Sequence, residues 1–227
     1  IGARAKAHRI FRNALDLSKD QERLMEGKER EFNDLRILGL FPEELDLRDY
    51  FGAQGELRRV VGAIDALWVV GGNTFVLRRA MKQSGFGTIL LDKVQDEQFV
   101  YVGYSAGICV LAPTLKGIHL VDDPDVIPEG YSEQVIWDGL GLVPFCFEPH
   151  YRSDHPESCC QKVCGLFHRQ QDRACYQRQD AVLQADAPCQ PSLPADRAIS
   201  LEARPVALFG RVSHLSVSYR RPRPQAV

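Results

Sequence analysis

Two runs of the chain, ALWVV at 66–70 and FVYVG at 99–103, are apolar almost throughout, and each ends in a turn of small residues. A strand with one wet face alternates apolar and polar residues, so a strand that is apolar throughout is covered on both faces. Helical spacing lies around these runs. Leu57, Val60, Val61 and Ile64 share one face of 55–65, and 74–84 and 88–94 read as two further helices. Buried strands alternating with helices predict an α/β fold, a mostly parallel sheet with helices on both faces. In such sheets the ligand site lies beyond the carboxyl ends of the strands.

The remaining segments are assigned around that frame. Ser18 followed by Gln21 matches a capping box, and Leu24, Phe32, Leu35 and Leu38 mark a surface helix that ends at Gly39. ELDLRDY (44–50), IHLV (118–121) and LVPFCF (142–147) are expected to be strands. No clear opening strand precedes NALDLSKD, and apolar periodicity decays from about Cys159. The expected organisation is one α/β domain over 1–165, without an evident first strand, followed by an atypical segment over 166–227. ISLEARPVALFGRVSHLSVSY, within that segment, could supply one or two antiparallel strands.

Composition excludes several classes of function. A net charge of -2 gives no electrostatic reason to expect nucleic acid or an anionic membrane as partner. The longest apolar runs fall far short of the roughly 20 residues needed to span a bilayer. IGARAKAHRIFRNALD has no apolar core after its basic residues, so a cytoplasmic protein is expected. Of the cysteines, Cys109 and Cys146 sit in apolar runs and read as small buried hydrophobes. Cys159, Cys160, Cys164, Cys175 and Cys189 crowd together, but Cys160 and Cys164 lack the matching second pair of a zinc site. Reduced, incidental thiols are the expectation.

The turn after the second strand, Gly103-Tyr104-Ser105-Ala106-Gly107, is a G-x-S-x-G elbow. A serine hydroxyl becomes nucleophilic when a base takes its proton, and a third group must hold that base. His119, His150 and His155 are candidate bases; His150 follows a strand behind Pro149 and is the best placed. Asp122, Asp123 and Asp125 are candidate orienting acids, with Glu148 and Asp154 behind them. The N–H of Ala106 is the natural first oxyanion donor, and the pair Gly71-Gly72 could present a second. Asn73 and Thr74 also fit a plain helix cap.

LWVVGGNTFVL, VYVGYSAGICVLAPTL, an acidic DDP and GLGLVPFCFEPHYRSDHPES, in this order, resemble the peptidase E family of serine peptidases. The resemblance runs from about Asn13 to Ser158. It implies a class I glutamine amidotransferase-like, flavodoxin-like three-layer sandwich with serine as nucleophile. It implies Ser105, His150 and Asp122 as the triad, with Asp123 close behind, and Gly72 and Ala106 as the oxyanion hole. Asn73 and Arg152 are the expected substrate-binding residues, Arg152 as a clamp on a substrate carboxylate. The expected substrate is a short peptide, such as a dipeptide with amino-terminal aspartate, and neither metal nor organic cofactor is implied. An α/β-hydrolase-like esterase shares the elbow, and a binding protein on the same fold would keep it without turnover.

Overall fold

The computed structural model describes residues 7–96 and 98–147, together with the backbone of strands at 175–176, 200–204 and 216–220. Its centre is a sheet of four parallel strands in the order β2-β1-β3-β4: β1 His8–Phe11, β2 Pro42–Glu44, β3 Ala66–Val69 and β4 Val100–Gly103. Cys146–Phe147 (β5) pairs in parallel with Cys175–Tyr176 (β6) in a small sheet of its own. Beyond β4 the main sheet continues antiparallel through β8 (Ser216–Arg220) and β7 (Ser200–Arg204). These last two match the antiparallel strands expected near the carboxyl end.

The period of two along the strands sorts side chains into two layers. Phe11, Leu67, Val69 and Tyr101 face one layer, packed with α2 (Gln54–Gly62), α3 (Thr74–Gln83), α4 (Phe86–Lys93) and the short α5 (Ala106–Cys109). Ile10, Val70, Trp68 and Tyr104 face the other, which α1 (Gln21–Ile37) covers through Leu35 and Phe32. Among the described residues no helix is long and apolar enough to cross a membrane.

The structure corrects several expectations. The sequence HRIF, too polar to register as an opening strand, is β1, paired on both edges with β2 and β3. Its polar members are provided for: His8 is buried, its Nδ1 accepting from Phe41 N at 3.3 Å, and Arg9 pairs with Glu43 at 2.8 Å. At 44–50 the strand stops at Glu44. Asp46 then accepts from Arg48 N at 2.9 Å and starts a 3-10 turn over Leu47–Tyr50. IHLV is a 3-10 turn too (Ile118–Leu120), entered through Gly117 at φ 104°. LVPFCF keeps only Cys146–Phe147 as strand, because Leu142 and Val143 donate back to Leu111 O. The cap of α1 is Asp20, accepting from Arg23 N at 3.0 Å, and not Ser18.

The two glycines of the elbow exist because backbones meet there. A Cβ on Gly107 would lie 2.4 Å from Val69 O, and one on Gly103 would lie 2.9 Å from the Gly107 carbonyl carbon. Tyr101 locks the contact, its hydroxyl donating to Gly107 O at 2.6 Å from a fully buried position. Gly107→Ala forces α5 off β3 and is expected to cost about 1–3 kcal/mol of stability, read as a lower urea midpoint at unchanged slope.

Candidate active site

Ser105 stands two residues past the end of β4 and opens α5 with φ 48° and ψ -118°. It is the single non-glycine residue with positive φ among the described residues. That conformation costs on the order of 1–3 kcal/mol and persists only where surroundings hold it. Here Ser105 O accepts from Ile108 N and Cys109 N, both at 3.0 Å, so the strained residue is the first carbonyl of the helix. The side chain of Ser105 is left partly exposed at the carboxyl end of β4.

The turn after β3 lies directly against it. A Cβ on Gly71 would stand 2.9 Å from Ser105 Cβ, so only glycine fits beside the serine. Gly72 adopts φ 140°, and a Cβ there would lie 2.5 Å from Ala14 O. Asn73 N donates to that same Ala14 O at 2.9 Å, which ties this turn to the one after β1. Three consecutive carboxyl ends of the parallel sheet thus meet around Ser105.

The same turn gathers the acidic loop. Thr74 N, the first amide of α3, donates to Asp122 Oδ2 at 2.8 Å, and Asn73 Nδ2 donates to Asp123 O at 2.9 Å. The two aspartates are thereby distinguished. Asp122 is half-buried with its carboxylate turned to the amino end of α3, whereas exposed Asp123 uses Oδ1 to accept from Asp125 N within its own loop. Asp122 also feels α5: burial pushes the Cys109 thiol pKa up, and the charge of Asp122 pushes it further. Cys109 and Cys146 are buried, as their apolar settings predicted.

Asn73 is a cap. Its Oδ1 accepts from Phe75 N at 2.9 Å and Val76 N at 3.0 Å while its amide holds the acidic loop, so both polar ends of the side chain are engaged inside the protein. Of the two readings open for Asn73, substrate contact and helix cap, the cap is the one displayed. His119 is also engaged locally, Nδ1 accepting from Gly117 N at 3.1 Å and its ring standing edge-on to Trp137. Ala106 follows Ser105 directly as the first residue of α5, while Gly71 packs against the serine and Gly72 against Ala14. His150, His155, Arg152, Glu148 and Asp154 lie outside the described residues, as do Cys159, Cys160, Cys164 and Cys189.

Sequence reasoning missed Arg79. It is 0% exposed and, among the described residues, has no carboxylate at hydrogen-bond distance; its guanidinium donates to Pro124 O at 2.7 Å, Val126 O at 3.1 Å and Gln134 O at 3.2 Å. Burial lowers its pKa, and Asp125 offsets part of that. One cation thus ties down the loop that carries Asp122. The signal was present in the sequence: Arg79 falls four residues after Phe75, on the apolar stripe of α3, where a charge needs a reason.

A cleft of about 220 Å³ opens elsewhere, between α1 and the ends of β1 and β2. Its charges answer one another: Lys28 pairs with Glu44, and Arg48 with Asp46 and Asp16. No group of three or more His, Cys, Asp or Glu among the described residues could hold a metal ion.

Known proteins resemble this chain in sequence and in fold. The sequence profile of peptidase family S51 matches residues 17–182. An uncharacterised peptidase of Listeria innocua is 32% identical over 133 residues, 57% of this chain and 58% of the relative. A peptidase E of Streptomyces coelicolor is 35% identical over 114 residues, covering 50% and 43%. The matches thus span less than two thirds of these relatives' own lengths. A solved structure of a candidate peptidase E protein from Listeria monocytogenes superposes with a TM-score of 0.58 at 26% identity, covering 71% of this chain and 75% of that one.

Replacing Arg79 by Met removes the partner of three loop carbonyls and is expected to cost about 3 kcal/mol. Urea denaturation measures the loss, and limited proteolysis should then cut first within 122–134.

Proposed function

Since the chain belongs to peptidase family S51, we propose that it is a serine peptidase that hydrolyses short peptides at Ser105. The observation that carries the reading is Ser105 itself: a strained residue at the end of a central strand, with a glycine turn packed on its Cβ and Asp122 held by the same turn. A fold that only needed a strand-to-helix turn would have no use for that strain.

In the proposed mechanism the Ser105 hydroxyl attacks the scissile carbonyl while His150 takes its proton as general base. Asp122 orients the imidazole and stabilises the imidazolium that forms. The tetrahedral oxyanion is met by the N–H groups of Ala106, at the start of α5, and Gly72. His150 then protonates the leaving amine, and water activated through the same imidazole hydrolyses the acyl-enzyme. Arg152 is assigned to the substrate carboxylate, which would favour dipeptides with amino-terminal aspartate. The residues require no metal or organic cofactor for this chemistry.

The Gly71–Thr74 turn supports the reading because it does two things at once. It packs Gly71 against the Cβ of Ser105 and holds the Asp122 carboxylate at Thr74 N. Asp122 is preferred to Asp123 because its carboxylate is turned inward, while that of Asp123 is engaged in its own turn.

A panel of dipeptide amides beginning with Asp, Glu, Ala, Leu or Lys tests the reading. Hydrolysis of at least one, abolished by Ser105→Ala, is the expected result, and cleavage of the Asp member alone would establish the preference. Turnover of simple esters without any peptide turnover would instead indicate an esterase. In the same assay Asp122→Asn should lower kcat by about 10⁴-fold, as loss of the orienting acid does in serine triads. Asp123→Asn should stay near wild type, and the reverse pattern would exchange their roles.

A further inference from the structure

Tyr104 precedes the strained serine, and nothing in the reaction described above uses it. Its ring lies on the α1 side of the sheet, tilted against Trp68 with centroids 6.4 Å apart. Phenylalanine would fill that space equally well, so packing alone does not call for the hydroxyl. Yet the hydroxyl donates to Glu31 Oε1 at 2.5 Å. Glu31 in turn is a carboxylate with only 14% of its side chain exposed, on a helix that is otherwise largely wet. Burial pushes the Glu31 pKa up, and Tyr104 and Arg12 pull it partly back. Arg12 Nε stands 3.5 Å from Glu31 Oε2. A buried carboxylate is expensive to keep, and its removal of solvent must serve some local purpose.

That purpose is visible in what the Tyr104 side chain touches. A Cβ on Gly71 would lie 2.9 Å from Tyr104 Cε2 and 3.1 Å from Cδ2, so the ring is pressed against the glycine turn. Burial and the charge of Glu31 push the phenol pKa up, and the Gly71 backbone pulls it partly back. Tyr104 N donates to Val69 O, the last carbonyl of β3. Tyr104 therefore joins three pieces: the elbow, through its own backbone; the Gly71-Gly72 turn, through its ring; and α1, through its hydroxyl on Glu31.

We propose that Tyr104, anchored by Glu31, is a positioning residue for the reaction at Ser105, fixing the elbow and the Gly71-Gly72 turn relative to each other. It acts on the distance between the nucleophile and the oxyanion donor at Gly72 and makes no contact with substrate. Fractions of an ångström at that distance matter, because a donor stabilises the oxyanion only where it is already aimed. The inference rests on Ser105 being the nucleophile, so the test begins there.

Wild type, Tyr104→Phe, Glu31→Gln and Glu31→Ala are compared by rate of fluorophosphonate labelling at Ser105, by kcat and KM on the best dipeptide substrate, and by thermal melting. Tyr104→Phe and Glu31→Ala should each lower kcat and labelling rate by about tenfold with KM unchanged, the effect of losing one hydrogen bond to a charged group. Glu31→Gln keeps an acceptor oxygen and should restore rates close to wild type. If Tyr104→Phe fails to fold, the two Glu31 variants read the same contact from its other side. A labelled wild type whose folded Tyr104→Phe or Glu31→Ala variant reacts equally fast overturns this inference alone, as does a lower melting temperature with unaltered kcat. A folded wild type that takes no label overturns the nucleophile assignment, and this inference with it.

Discussion

The contact between Gly107 and the carbonyl of Val69 sets the distance on which the rest of the site depends. With no side chain between them, α5 begins against the end of β3, and the chain must reverse from β4 into the helix within Tyr104 and Ser105. The positive φ of Ser105 is the consequence. Tyr101 seals the arrangement from below with a buried hydrogen bond to Gly107 O. The strain is thus sustained by backbone contacts inside a well-packed core, where relaxation would open a void.

From that point the site is built outward by the turn after β3. Gly71 accommodates the serine, Gly72 accommodates Ala14, Asn73 caps α3 and holds the carbonyl of Asp123, and Thr74 N holds Asp122. Four consecutive residues each discharge a different packing or hydrogen-bonding requirement. Arg79, one turn further along α3, completes the task by binding the carbonyls of 124, 126 and 134. α3, which begins at the end of the turn packed on Ser105, therefore also carries the anchor of the acidic loop.

The polar interior divides into two kinds. Around Asn13, Asp16 and Asp46 the groups satisfy each other: Asn13 Nδ2 donates to both carboxylates, and its Oδ1 accepts from Leu47 N at 3.1 Å. This network joins the turn after β1 to the turn after β2 and explains why β1 tolerates so polar a neighbourhood. Glu31, Arg12 and Tyr104 form the second kind, in which burial exceeds what the partners return. Such an imbalance at the edge of a reacting centre is where positioning roles are found.

The sequence by itself determined the parts that depend on local pattern. The apolar runs at 66–70 and 99–103 became β3 and β4 because burial on both faces leaves no other residue type stable there. The helices over 54–62, 74–83 and 86–93 followed their apolar stripes, and the G-x-S-x-G turn placed Ser105 at a strand end. Tertiary structure alone decided the rest. HRIF is a strand because two neighbours pair with it and supply partners for His8 and Arg9, which no local signal contains. IHLV is not a strand because Gly117 turns the chain and the Gly117 N–H bonds to His119. The separation of Asp122 from Asp123, which adjacent positions cannot express, came from an amide on a helix nearly fifty residues earlier in the chain, in the hydrogen bond from Thr74 N. Long-range hydrogen bonds select among chemically identical neighbours, and a sequence states only that the neighbours are there.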